Sequence, residues 1–173
     1  MKNPLTNLHE ALVYQLEGLY DAEKRLQKAM PILKHKVMLP ALQTAIIRYG
    51  EQASDKRTKL KRAFSYLGCG PFGRKNRIMH DFLKNTLELC EHTSADRIRD
   101  AMAIACLKNI SQYKLADYGT ALGFAIALEL DTVSDLLHEM ISWEKETADA
   151  LEDLRIAQLS AKPGPIVASH AQK

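Results

Sequence analysis

The sequence predicts an all-α fold, in which four long helices form one bundle. Four long segments carry apolar residues at helical spacing, and no segment alternates apolar and polar residues with the period of a strand. The chain has 173 residues, of which 46% are hydrophobic, and this is enough for a single core. The 8 glycines and 6 prolines are too few for a collagenous or disordered chain.

Each long segment has a continuous apolar stripe, as on the first helix, where leucines recur from Leu12 to Leu33. The glycine-rich stretch 67–73 ends the second helix. The domain is expected to cover residues 1–160, and the tail 161–173, with its Pro163-Gly164-Pro165, to be flexible. The predicted helices cover residues 6–34, 40–67, 78–90, 94–128 and 132–159, the third of these being a short one.

The lengths of the connections predict the topology of the bundle. The first two long helices, and also the last two, are joined by only a few residues, so each pair should form an antiparallel hairpin. About 26 residues, from Gly68 to Thr93, separate the two hairpins. A helix of about 28 residues is about 42 Å long, and this connection can return along its whole length. The pattern therefore indicates a ferritin-like four-helix bundle with one long crossover that contains a short extra helix.

Composition excludes several functional classes. The net charge is +3 and the pI about 8.7, which is less basic than a dedicated nucleic-acid binder, so no nucleic-acid partner is expected. The basic stretch from Arg48 to Arg62 is interpreted as a solvated helix face. No apolar run approaches the ~18 residues that cross a bilayer, and no signal peptide is recognised. Three cysteines without a CxxC motif argue against a disulfide framework and against a zinc site, and a cytoplasmic location is predicted.

Two carboxylates interrupt the apolar stripes that should face the core. Glu23 lies on the stripe of the first helix and Glu144 on that of the last, each near the middle of its helix. A buried carboxylate needs a cation or a hydrogen-bonding partner, because burying its charge alone costs several kcal/mol. In a four-helix bundle, that cation can be a pair of metal ions held by inward-facing Glu and His side chains.

The residues on the second and third long helices indicate whether metal ions or lysines balance the charge of the two glutamates. Neither helix has a Glu-x-x-His pair on its inner stripe, so a salt-bridged network is favoured, with Lys56, Lys108 or Lys114 opposite the glutamates. The alternative is a metal site completed by auxiliary carboxylates. The residues on the inner stripes are Tyr49, Gln52, Ala53 and Lys56 on the second long helix and Lys108, Ser111, Gln112 and Leu115 on the third long helix. The possible auxiliary ligands are Glu51, Asp55 and Asp117.

Several motifs resemble those of the YciE/YciF family of bacterial ferritin-like stress proteins. The resemblance covers about residues 5–155 in the expected order, and its Asp-Ala-Glu-Lys and Tyr-x-x-x-x-Tyr-Gly-Thr elements are specific mainly in combination. It implies a ferritin-like bundle, often dimeric and linked to stress responses, in which iron binding is inferred from the fold. The motifs are residues 19–26 (LYDAEKRL), 29–31 (AMP), 64–68 (FSYLG), 113–120 (YKLADYGT) and 143–145 (WEK).

The resemblance also implies a ligand set, from which this chain departs. Glu23 and Glu144 match the family's ligand positions. The second helix has Tyr49 and Gln52 where the family typically shows a His and a Glu, and Trp143 replaces one of two adjacent glutamates in the last helix. The third long helix reads Ser-Gln-Tyr-Lys over residues 111–114 instead of Glu-His-Tyr-Glu. A protonated lysine cannot bind a metal ion, so Lys114 is predicted to fill the site.

The function expected from the sequence is a stress-associated protein with a degenerate, metal-free di-metal site formed by Glu23 and Glu144. The alternative is an iron-binding ferroxidase or a peroxide-consuming diiron protein, which would need iron or another divalent metal. A DNA-protecting relative of the mini-ferritins, using the face from Arg48 to Arg62, is a third hypothesis. The expected partner is a second copy in a homodimer, or a metal-competent paralogue in a hetero-oligomer.

Overall fold

The computed structural model describes residues 4–160, and this part of the chain is helical without any strand. Every helix begins and ends within two residues of its predicted bounds, which confirms the predicted elements. The predicted flexible tail lies outside the described residues. The helices are α1 (Leu8–Lys34), α2 (Pro40–Tyr66), α3 (Arg77–His92), α4 (Asp96–Ala127) and α5 (Asp131–Ser160).

Capping residues explain several helix ends. The Asn7 side chain accepts a hydrogen bond of 2.9 Å from the backbone N–H of Glu10 and so caps the N-terminus of α1. Helix α2 begins at Pro40, whose missing N–H is not needed in a first turn. It ends at Tyr66, and Gly68, two residues later, has a φ of 67° and allows Cys69 N–H to donate to the Phe64 carbonyl. The glycine-rich break therefore stops the helix by a specific backbone turn.

The four long helices form a closed square in which every neighbouring pair is antiparallel. Helices α1 and α2 form one hairpin, and α4 and α5 form the other. Contacts of α1 with α4 and of α2 with α5 join the two hairpins, while α3 packs on α4 and α1. Because the crossover returns along the bundle, α2 and α4 run in the same direction. The predicted topology is confirmed.

The crossover and the loops are held by buried polar side chains. Asn76, at the start of α3, donates to the Gly18 carbonyl, and its backbone N–H donates to Asp21 Oδ2 at 2.8 Å. At one end of the bundle, the buried Asp100 carboxylate accepts backbone N–H bonds from Met38 and Leu39 at 2.9 and 2.8 Å. The backbone N–H groups of Met38, Leu39 and Asn76 precede the first turns of α2 and α3, where no intrahelical acceptor is available, and these carboxylates satisfy them.

The core consists of two apolar clusters with a polar layer between them. One cluster joins the C-terminal half of α1 to the beginnings of α2 and α4, and the other joins the N-terminal half of α1 to the ends of α2 and α4. The four charged side chains at mid-height of the bundle lie between these clusters. This layer is the candidate site. Its charged members are Glu23, Lys56, Lys114 and Glu144.

Candidate functional site

The candidate site is a ring of four charged side chains, one from each long helix, and each is 0% exposed. Glu23 comes from α1, Lys56 from α2, Glu144 from α5 and Lys114 from α4. Around the square of helices, acidic and basic residues alternate. Each charge is at a core position because its helix carries buried apolar residues three or four positions before and after it.

Ion pairs link the ring across the bundle. The Lys114 ammonium lies 2.9 Å from Glu23 Oε1 and 2.7 Å from Glu144 Oε2, so it bridges the two carboxylates. Lys56 donates to the same oxygen of Glu144. In formal charge, two carboxylates balance two ammonium groups, and the ring is neutral. This balance meets the requirement that buried charges be paired.

Two buried tyrosines complete the hydrogen bonding of the carboxylates. The Tyr49 hydroxyl donates to Glu144 Oε1 at 2.6 Å, and the Tyr118 hydroxyl donates to Glu23 Oε1 at 2.7 Å. The Lys114 ammonium also lies 4.6 Å from the centre of the Tyr49 ring, within the range of a cation–π contact. Each phenol therefore connects the polar layer to one of the apolar clusters.

The pKa values of the ring follow from burial and from the alternation of charge. Burial favours the neutral form of Glu144, but the ammonium groups of Lys114 and Lys56 prevail and lower the pKa of Glu144 to about 2. Burial also opposes the charge of Lys114, yet the two carboxylates raise its pKa above the usual range. Glu144 and Lys114 are thus held in their charged forms.

The pKa of Lys56 shifts in the opposite direction to that of Lys114, and the pKa values of the two tyrosines shift in the opposite direction to that of Glu144. Burial, assisted by the positive charge of Lys114, lowers the pKa of Lys56. Burial and the negative charge of Glu144 raise the pKa of Tyr49 well above its ordinary value, and burial and Glu23 do the same for Tyr118. Both phenols are therefore protonated donors at neutral pH.

One oxygen of the ring has no hydrogen-bond partner in the described part of the chain. Glu23 Oε2 is buried and accepts no hydrogen bond from any residue between 4 and 160. Glu23 pairs with one ammonium group, whereas Glu144 pairs with two. The uneven pairing means that the α1 side of the ring is less fully satisfied than the α5 side.

The auxiliary carboxylates predicted from the sequence do not join the ring. Glu51 and Asp55 are exposed on α2. Asp117 on α4 is half-buried, and one of its oxygens is buried without a hydrogen-bond partner among the residues that the structure describes. Within residues 4–160, no three His, Cys, Asp or Glu side chains form a group that could hold a metal ion. Glu23 and Glu144 are the only members of the predicted ligand set that the ring brings together within this part of the chain.

The structure selects among the three candidate lysines. Lys114 and Lys56 are fully buried beside the glutamates, while Lys108 lies at the edge of the bundle and pairs with Glu152. The predicted inner stripe of α4 was wrong in part. Ser111 is buried as predicted, but Gln112 is exposed. The inner stripe consists of Ile104, Leu107, Ser111, Lys114, Tyr118, Ala121 and Ala125.

The sequence did not identify Tyr118 as the hydrogen-bond partner of Glu23. Its position seven residues after Ser111 on the inner stripe of α4 was the available signal. Pairing Tyr118 with Glu23 requires knowing that α1 and α4 are neighbours, a fact that only the three-dimensional arrangement supplies.

The fold and the ring define a helical-bundle protein with a charge-neutral polar centre. The chain belongs to the domain family of unknown function DUF892, whose model matches residues 7–162. It is 24% identical to protein YciF of Escherichia coli strain K12 over 159 residues, which cover 91% of this chain and 96% of that protein. These findings confirm the predicted YciE/YciF family assignment.

Solved structures of similar proteins share the fold. The crystal structure of the E. coli stress protein YciF superposes with a TM-score of 0.88 at 24% identity, covering 91% of this chain and all of that one. The structure of YcfI from Rhodopseudomonas palustris gives a TM-score of 0.84 at 22% identity and covers 88% and 97% of the two chains. None of the helices between residues 4 and 160 is both long and apolar enough to span a membrane.

Proposed function

We propose that this chain is a stress-associated bundle protein in which a buried ion-pair network takes the place of a di-metal site. The observation that carries the proposal is the position of Lys114, whose ammonium group bridges Glu23 and Glu144. Two metal ions between these carboxylates would carry the positive charge that Lys114 and Lys56 now supply. The ring is already neutral, so it offers no net charge that would attract a cation.

The donor set does not fit a divalent metal ion. A protonated lysine has three donors and no acceptor, so Lys56 and Lys114 cannot act as ligands while they are charged. The Tyr49 and Tyr118 hydroxyls donate to the carboxylates and have high pKa values, which opposes phenolate ligation. Within residues 4–160 the ring contains two carboxylates, Glu23 and Glu144, where a di-metal bundle of this class uses four glutamates with two histidines.

The association with stress is inferred from the E. coli relative, whose crystal structure is described as that of a stress protein. A deletion strain that lacks this chain should survive osmotic or oxidative shock less well than its parent. Complementation with the wild-type gene should restore survival. Equal survival of the two strains under both conditions would contradict this part of the proposal.

The metal-free site is tested by elemental analysis of untagged protein before and after anaerobic addition of Fe(II). We expect less than about a tenth of a metal ion per chain in both samples, since the lysines already balance the carboxylates. About two ions per chain would instead indicate a diiron centre and restore the ferroxidase hypothesis. Loss of those ions on Glu23→Ala substitution would then assign them to the ring.

A further inference from the structure

Three cations between α1 and α2 have no carboxylate partner in the described part of the chain. Lys24 lies on α1, and Arg57 and Lys61 lie one turn apart on the side of α2 that faces α1. Arg57 donates to two neutral acceptors, the Gln27 side-chain oxygen and, at 3.2 Å, the Tyr20 hydroxyl. The positive charge of this cluster is therefore not balanced by neighbouring acids.

The Tyr20 phenol responds to the positive potential of the cluster. Burial favours the neutral phenol, but Arg57, Lys61 and Lys24 prevail and lower the pKa of Tyr20. The Arg57 guanidinium lies 5.2 Å from the centre of the Tyr20 ring, and its Nε is buried without a hydrogen-bond partner among the described residues. A small rotation would present Nε and a terminal nitrogen together to an oxyanion, which guanidinium groups bind through two parallel hydrogen bonds.

A pocket of about 520 Å³ adjoins the cluster between the same two helices. Gln27, which accepts from Arg57, also lines the pocket and so joins the two regions. At Gly50 a Cβ atom would lie 3.1 Å from Met30 Cβ, so a larger residue would crowd the pocket at this point. The apolar wall of the pocket consists of Met30, Pro31 and Ile47, and its polar residues include Gln27, Glu51 and Ser54.

A ligand that fills both regions needs an apolar ring next to an anionic group. Phosphate oxygens accept charge-assisted hydrogen bonds from arginine and lysine, and pockets of this size bind flat rings against apolar side chains. Glu51 lies in the pocket lining more than one helical turn before Arg57, roughly 9 Å along α2. Its charge disfavours an anion at that end, while its oxygens can accept from the N–H groups of a base. A nucleotide has this arrangement of groups.

We propose that the groove between α1 and α2 binds a nucleotide, with its phosphates on Lys24, Arg57 and Lys61 and its base in the adjoining pocket. The Tyr20 hydroxyl donates to the same phosphates. The groove is on the outside of the bundle, whereas the ring of four charges is buried. Nucleotide binding is therefore independent of whether the ring holds a metal ion.

The test is isothermal titration calorimetry of the full chain with ADP, in a buffer without divalent metal ions. We expect a Kd below about 0.1 mM for ADP, and at least about tenfold weaker binding of pyrophosphate and of adenosine, because each contains only one half of the ligand. Raising the salt from about 0.1 M to about 0.5 M should weaken the binding of ADP and pyrophosphate but not that of adenosine, because salt screens the phosphate contacts.

Substitutions in the cluster should reduce the affinity for ADP. Arg57→Gln should reduce it at least about tenfold, and Lys61→Gln about threefold to tenfold. The matched control is Arg62→Gln, which removes the same charge from an exposed position on α2. Arg62 lies one turn after Lys59, which pairs with Glu139 on α5, so it points away from the groove and its loss should leave the affinity unchanged.

A substitution in the pocket separates the two halves of the site. Ile47→Ser removes part of the apolar wall at a position that is 42% exposed. It should weaken the binding of ADP and leave that of pyrophosphate unchanged.

Four results would overturn the proposal. The first is the absence of ADP binding at about 1 mM ADP. The second is ADP binding that neither Arg57→Gln nor Lys61→Gln weakens relative to Arg62→Gln; the exposed position of Lys61 keeps this comparison decisive if Arg57→Gln disturbs folding. The third is pyrophosphate binding as tight as that of ADP, which would indicate a simple anion site. The fourth is duplex DNA binding that these variants lose while ADP does not bind, which would assign the cluster to nucleic acid.

Discussion

Replacing Lys114 by methionine should destabilise the bundle more than any surface substitution of similar size. The substitution keeps an unbranched side chain of similar volume but removes the ammonium group that bridges Glu23 and Glu144. Glu23 would then be buried with the Tyr118 hydroxyl as its remaining hydrogen-bond partner among the described residues. The substitution therefore destabilises the fold because it leaves a buried charge without its counterion.

The magnitude follows from complete burial of all three side chains. Removing one partner of a buried ion pair costs about 3–5 kcal/mol, whereas an exposed pair contributes about 0–1 kcal/mol. For a domain of this size, each kcal/mol lowers Tm by about 2–4 °C, so Tm should fall by about 6–20 °C. The change is large enough to separate a structural ion pair from an incidental one.

Urea and thermal unfolding of the wild type and the Lys114→Met variant at pH 7 measure this effect. The matched control is Lys108→Met on the same helix, which removes the partly exposed pair with Glu152 and should cost less than about 1 kcal/mol. Adding Glu23→Gln to Lys114→Met removes the unpaired charge and should recover most of the lost stability. A loss below about 1 kcal/mol for Lys114→Met, or no recovery in the double variant, would refute the reasoning.

Three further predictions concern other parts of the chain. The pKa of the Glu144 carboxyl falls from its usual 4.5 to about 2 in the fold, so its charged form should contribute about 3 kcal/mol to the free energy of unfolding. This contribution is present above pH 4.5 and is lost as the pH falls through 2. Carbon-13 NMR of the carboxyl measures the pKa, and acid unfolding measures the loss of stability. Asp100→Ala should cost about 2–4 kcal/mol in urea unfolding, because it leaves the backbone N–H groups of Met38 and Leu39 without their acceptor. Glu129 has a φ of 55° after α4, so Glu129→Gly should raise the stability by up to about 1 kcal/mol, and an unchanged or lower urea midpoint would contradict this.

The helices and their order could be predicted from the sequence because these features depend on short-range patterns. The 3.6-residue period of apolar residues, Pro40 at a helix start and Gly68 at a helix end act within one or two turns. The topology followed from loop lengths. The interior positions of Glu23 and Glu144 were predictable for the same reason, since each replaces an apolar residue on an otherwise regular stripe.

The partners of those glutamates could not be read from the sequence. On α4, Lys108 and Lys114 differ by less than two turns, and the rotation of that helix is set by its contacts with α1, α3 and α5 together. The polar anchors of the crossover are equally long-range, because Asn76 pairs with Asp21 from a different helix. Side-chain pairs between elements depend on rotations and distances that no local pattern contains.

The ring of charges affects how the two hairpins dock on each other as well as how stable the bundle is. Of its three ion pairs, Lys114 with Glu23 joins α4 to α1, and Lys56 with Glu144 joins α2 to α5, so two of them cross between the hairpins. Both tyrosine hydrogen bonds also cross between the hairpins. The Lys114–Glu144 pair lies within the α4–α5 hairpin, so a docking in another register would leave two charges, Glu23 and Lys56, buried without ion-pair partners, at several kcal/mol each. Apolar residues at these positions would tolerate several registers. We therefore infer that the ring specifies one arrangement of the two hairpins, a role that it can fill without any metal ion.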